Sequence, residues 1–85
     1  MYRTISDIHN GIFDCMSRCT EACGEPTEEN HEARVKWHSE DEQTALIRDL
    51  WAIYNDAIEE AYAEGYVGVG CISYAEQAIR EAQEP

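Results

Sequence analysis

SEDEQTALIRDLWAIYNDAIEEAYAEG, residues 39–65, decides how this chain is read. Ser39 and Glu42 stand in a capping-box arrangement, where each side chain can satisfy the other's free backbone N–H. Gly65 tolerates the left-handed conformation in which helices end. Between them Leu46, Leu50, Ile53, Ala57 and Ala61 recur at helical spacing, with Ile47, Trp51, Tyr54, Ile58 and Tyr62 beside them. The expectation is one long helix from Ser39 to Glu64. At about 100° per residue its apolar positions cover roughly 180°, wider than one helix–helix seam needs. Its acids fall elsewhere: Glu42, Asp49, Asp56 and Glu60 lie within about 40° of one another.

A second helix is expected on the N-terminal side, from Thr4 to Ala22. Thr4 with Asp7 can cap it, and Ile5, Ile8, Ile12, Cys15, Met16, Cys19 and Cys23 form one stripe. Gly11 costs such a helix roughly 1 kcal/mol against alanine, so it implies a close contact or a weak spot. Gly24, Glu25 and Pro26 end the element. On the C-terminal side, Ser73 and Glu76 form another capping box, opening a helix that runs to about Gln83. Its inner face of Tyr74, Ala75, Ala78, Ile79 and Ala82 is small enough for close approach and too uniform to be fixed tightly.

The intervening segments read differently. Ala33, Val35 and Trp37 alternate with Arg34, Lys36 and His38, a period of two that points to a short strand. Tyr66 to Ile72 is the other strand candidate, with plain loop as its rival. The fold class is mainly α: three helices with a long central one, in one acidic domain over residues 1–85. A two-stranded β-ribbon packed on the long helix is the α+β variant.

Composition narrows the function. The chain has 85 residues, enough for one modest core that buries roughly 60–65% of the unfolded surface. An apolar fraction of 44% sets it apart from disordered acidic tails. Eighteen acids against six basic residues give a net charge of −12. Arg18 can be engaged by Asp14 and Arg80 by Glu76, both at i,i+4, which leaves little positive charge for nucleic acid or an anionic membrane. A basic partner is favoured instead. The first thirty residues lack the basic start and apolar run of a targeting segment, and no stretch reaches the ~20 apolar residues of a membrane span. A soluble cytoplasmic protein is expected. A 26-residue helix would be about 38 Å long, whereas a compact chain of this size is about 31 Å across. Either the helix ends project or a second copy shares the apolar arc, as in a homodimer.

Candidate chemistry is sparse. Cys15, Cys19 and Cys23 face the same way at i, i+4 and i+8, about 6 Å apart, too far for adjacent disulfides on an intact helix. Two of them could join Cys71 and His9 or His31 around zinc, but no C-x-x-C spacing occurs, and small core residues explain the stripe. His9 borders that stripe as a half-buried packing residue. His38 beside Ser39 does not point as a triad requires, and capping accounts for Ser39. The acid pairs Glu28-Glu29 and Glu59-Glu60 diverge by about 100° as helix neighbours and match no Ca²⁺ loop. Gly65, Gly68 and Gly70 follow a helix rather than a strand and lack the Lys of a phosphate cradle. No catalytic signature, cofactor motif or metal motif is present, and binding rather than catalysis is expected.

The acids are the remaining candidate. Glu42, Asp49, Asp56 and Glu60 would be spaced by about 10, 10 and 6 Å along the helix. Asp41 and Glu59 flank them, and Glu28, Glu29 and Glu32, with Glu25, add a second patch. Rows of carboxylates on this scale can stand in for phosphates before Lys and Arg that otherwise hold DNA or RNA. Trp37 or Tyr66 would anchor the contact. The expected function is an acidic inhibitor that occupies a basic, nucleic-acid-binding surface. Small phage-encoded blockers of CRISPR or restriction complexes act in this general way, though no motif links the chain to them. The alternative is a helical homo-oligomeric module whose acidity serves solubility alone.

Overall fold

The computed structural model describes residues 1–85 as four helices: α1 (Ile5–Cys23), α2 (His31–Glu40), α3 (Glu42–Ala63) and α4 (Val69–Ala82). No strand is present. α1 begins as the sequence implies. The Thr4 hydroxyl accepts from the Asp7 backbone N–H, and the Asp7 carboxylate accepts from those of Thr4 and Arg3. Gly24 ends it with φ +87°.

The long helix is broken. Asp41 lies between α2 and α3 with φ −86° and ψ 119°, closing one helix and capping the next. Its carboxylate accepts from the backbone N–H and the hydroxyl of Thr44. The anticipated Ser39–Glu42 capping box does not form. Ser39 lies in the last turn of α2, and its hydroxyl donates to the Lys36 carbonyl. Ser39 and Asp41 are rival caps for one helix start, and Asp41 has more partners, because Arg18 also pairs with it.

The expected β-ribbon is a second correction. Residues 33–38 belong to α2 despite their alternation. Residues 66–68 are loop, and α4 opens at Val69, four residues before the anticipated Ser73. α2 has no fully buried residue, so its helix rests on local contacts. Arg34 reaches back to the Thr20 hydroxyl and the Gly24 carbonyl at the end of α1. Asn30 donates to the carbonyls of Cys23 and Glu25, fixing the connection. Glu76 forms neither the Ser73 capping box nor a pair with Arg80: it accepts from the Ile5 backbone N–H at the start of α1, and Arg80 donates to the Arg3 carbonyl.

α3 ends at Gly65 as expected. Gly65 has φ +94°, the Tyr66 N–H reaches the Ala61 carbonyl and the Gly65 N–H reaches that of Tyr62. This pair of bonds satisfies the last free carbonyls of the helix. α4 then returns along α3, forming the most extensive helix pair in the molecule. Ala57 and Ala61 of α3 and Cys71, Ala75 and Ile79 of α4 are all buried. Small side chains on both helices let the backbones approach. Ala82, placed by the spacing on that inner face, is exposed.

α1 crosses the first turns of α3. Ile8, Cys15, Ile47, Leu50 and Tyr54 join Ala75 and Ile79 in one core. Gly11 marks the crossing: a methyl there would stand 2.5 Å from Ile47 Cδ1 and 2.9 Å from Tyr2 Cε1. Gln83 ties the chain ends together, accepting from the Tyr2 N–H and donating to its carbonyl. The core is small, with 12 of 85 residues buried. The chain extends 47 × 28 × 17 Å with a radius of gyration of 15.3 Å, well above the about 12 Å of a compact chain this long. The chain is elongated, but the single helix from Ser39 to Glu64 expected to outrun a globule is divided at Asp41. No helix is long and apolar enough to cross a membrane.

Candidate protein-binding surface

α3 carries its acids away from the core. Glu42, Asp49, Asp56 and Glu60 are exposed and fall on one line, roughly 115° around the helix from the buried line of Ile47, Leu50, Tyr54, Ala57 and Ala61. The row lies on the side facing α4, where the Tyr74 hydroxyl donates to Glu60 Oε1 at 2.9 Å. That bond pushes the Tyr74 phenol up to about 12, with burial adding to it. Glu60 therefore reaches solvent with one oxygen already engaged, while Glu42, Asp49 and Asp56 have no side-chain partner within the chain. Glu59 is exposed on a separate side of α3.

Asp41 belongs to a different class. Arg18 donates to both of its oxygens, at 2.9 and 3.1 Å, and also to Asp14. The guanidinium, then the Thr44 donors, hold the Asp41 carboxyl down at about 2. Asp41 is half-buried and fully used in joining α1, α2 and α3, so it leaves the set of residues free to meet a partner. Trp37 leaves it too. Its ring lies 5.3 Å from the Arg18 guanidinium carbon with His38 edge-on at 5.0 Å, which makes it part of the same junction.

Glu28, Glu29 and Glu32, with Glu25, are exposed around the α1–α2 connection. Beyond Arg18, α1 packs on α2, where Cys19 Sγ lies 4.0 Å from the Arg34 carbonyl, so this second patch is held by the α1–α2 pair. Asp14 and Asp41 are the only two of eighteen carboxylates that form ion pairs, and Arg18 is the partner of both.

Tyr66 is half exposed beside Tyr74, with ring centroids 5.4 Å apart. From the sequence, Tyr66, Val67 and Val69 read either as an exposed contact loop or as a turn between packed helices, and the structure leaves them exposed. Tyr62, Val67 and Val69 are 61, 77 and 76% exposed, and together with Tyr66 and Ile72 they make an apolar tip at the α3–α4 turn. Glu59 and Glu60 on the last turns of α3, and Glu64 at its C-terminal cap, accompany this tip. A signal was present: Gly65 to Ala75 is free of charge in a chain that is 28% charged.

The remaining chemistry does not converge. The four cysteines are free thiols, three of them buried, and burial pushes the Cys19 thiol up. No group of three or more His, Cys, Asp or Glu side chains is assembled in metal-ligating geometry. His9, expected to be half-buried, is exposed and rests 5.7 Å from the Trp51 ring. No protein-family model, curated protein or solved structure matches the chain.

Proposed function

We propose that this protein is an acidic binding module that occupies a basic, nucleic-acid-binding surface of a partner, as a nucleic-acid mimic does. The observation that carries the reading is the unpaired state of its carboxylates. Arg18 is the one cation that pairs with any of them within the fold, and its two partners sit at one junction. Glu42, Asp49 and Asp56 hold a fixed spacing on a helix that is itself locked to α4. A fixed row loses little conformational freedom when lysines and arginines meet it, and it exchanges loosely held cations for protein charges.

The exposed acids and the apolar tip support a division of labour. The acids accelerate encounter with a basic groove and set orientation. The tip of Tyr62, Tyr66, Val67 and Val69 supplies the desolvated contact that slows dissociation. An inhibitor of a CRISPR or restriction complex is the concrete form of such a protein. The test is competition: duplex DNA or RNA should displace the protein from its partner, and the Asp49→Lys/Asp56→Lys variant should lose most of its affinity. Binding that is indifferent to nucleic acid and to that variant would overturn the reading.

A homo-oligomer is the second reading, favoured by the exposed apolar residues Phe13, Met16, Leu46 and Tyr62. The −12 charge of each copy opposes it. It requires a concentration-dependent mass that salt leaves intact or increases.

A further inference from the structure

The flank of α3 turned away from the acid row has the opposite character. Thr44, Arg48, Trp51, Asn55, Ile58 and Tyr62 succeed one another there, spanning roughly 80° of the helix, and none is acidic. Where α1 crosses this flank, Ile12 and Met16 face Ile47 and Trp51 across a cavity of about 230 Å³. Cys15, His38, Thr44 and Arg48 complete its wall, and no carboxylate lines it; Asp41, which accepts from the Thr44 hydroxyl, is paired with Arg18. Arg48 forms no ion pair. The residues three and four positions from it on α3, namely Thr44, Ala45, Trp51 and Ala52, are uncharged. In a chain of net charge −12, this apolar cavity is thus bordered by the unpaired guanidinium of Arg48.

We propose that this cavity binds a small amphipathic carboxylate, with an aromatic or short aliphatic body between Met16 and Trp51 and its carboxylate on Arg48. Size argues for a small molecule. A dry apolar cavity of about 150 Å³ takes a benzene ring, so this one suits a fused bicycle or a chain of like bulk, and is too small for a partner helix. Charge excludes the larger occupants. A second copy would add its own net charge of −12 to that of the first, and a basic partner would set its own cations against Arg48. A small monoanion feels chiefly Arg48, because the row lies across the width of the helix, about a Debye length away. The site is independent of the acidic surface and of the function proposed for it.

The test uses the whole ¹⁵N-labelled protein. 2-Naphthoate and its neutral isostere 2-naphthamide are titrated while the indole N–H signals of Trp51 and Trp37 are followed separately by NMR. The expected result is movement of the Trp51 signal, with naphthoate bound at least about fivefold more tightly than the amide. Arg48→Gln, a substitution at an exposed position, should reduce that preference below about twofold with unchanged helicity, and Arg48→Lys should restore part of it. Equal affinity for acid and amide, a preference that survives Arg48→Gln, or a Trp51 signal unmoved up to the solubility limit would each overturn the proposal.

Discussion

At Asp41 two helices meet across one residue held by charge. At Gly65 two helices turn back across Glu64–Gly68, held by backbone geometry and small side chains. The first junction depends on a single guanidinium: Arg18 binds Asp41 at both oxygens, takes Asp14 and covers Trp37. The second depends on none. Its helix end is closed by the bonds from Gly65 and Tyr66, and α4 is then seated by Ala57, Ala61, Ala75 and Ile79. In an acidic chain with six cations, structural charge is scarce and is concentrated where one cation serves several partners. Packing does the remainder, and this leaves the other carboxylates without a cationic partner.

Breaking the packed side should have the largest effect. Leu50 is 2% exposed where α1 meets the α3–α4 pair. Leu50→Ala should destabilise the fold by about 3 kcal/mol, measured by urea unfolding, because the surrounding helices close a cavity only in part. The charged side should cost less. Asp41→Ala removes the cap of α3 and frees Arg18, and should lower the melting temperature by about 5 °C. Backbone NMR shifts should then change around α2 and the start of α3 while those of α4 stay in place. Equal disturbance of α4 would mean that the two regions are one unit.

The pH dependence sharpens the contrast. Folded Asp41 is held at about 2 by Arg18 and Thr44, and an unfolded aspartate titrates near ~3.9. Its contribution is present above the unfolded value and is lost as pH falls through about 2. The stability gap between wild type and Asp41→Asn should therefore close between about pH 4 and pH 2.

The smallest expected effect is spectroscopic and lies at the α3–α4 side. Tyr74 is pushed up to about 12 by its bond to Glu60. Ultraviolet titration should show one late phenol that returns toward ~10 in Glu60→Gln. Because this folded value is raised, its contribution to stability is present below ~10 and is lost as pH rises through about 12. An unchanged titration in the variant would remove Glu60 from that contact.

The two regions also differ in how far they could be read from the amino acids. The caps at Thr4 and Gly65 are local, and a few neighbouring residues determine them. The break at Asp41 is not local. Ser39 offers an equally good cap, and what tips the choice is Arg18, which reaches Asp41 from 23 residues away. The alternation from Ala33 to Trp37 resembled a strand because α2 has no apolar stripe. It is held instead by Arg34, Asn30 and the Trp37 stack, which carry no periodicity. At the candidate surface, Glu42, Asp49 and Asp56 were legible from spacing alone. Asp41 and Trp37 were misplaced by the same tertiary contact with Arg18. Val67 and Val69 were obscured because an apolar loop reads alike whether it is covered or bare.

The central claim is that the free carboxylates of α3 exist to meet cations on another macromolecule. The most direct measurement is retention of the native partner on immobilised protein through a sodium chloride gradient, for wild type and for Asp49→Lys/Asp56→Lys. The account predicts release of the wild-type complex by roughly 0.5 M salt and little retention by the double variant. Retention that persists undiminished in about 1 M salt, or that is equal for the two proteins, would contradict it.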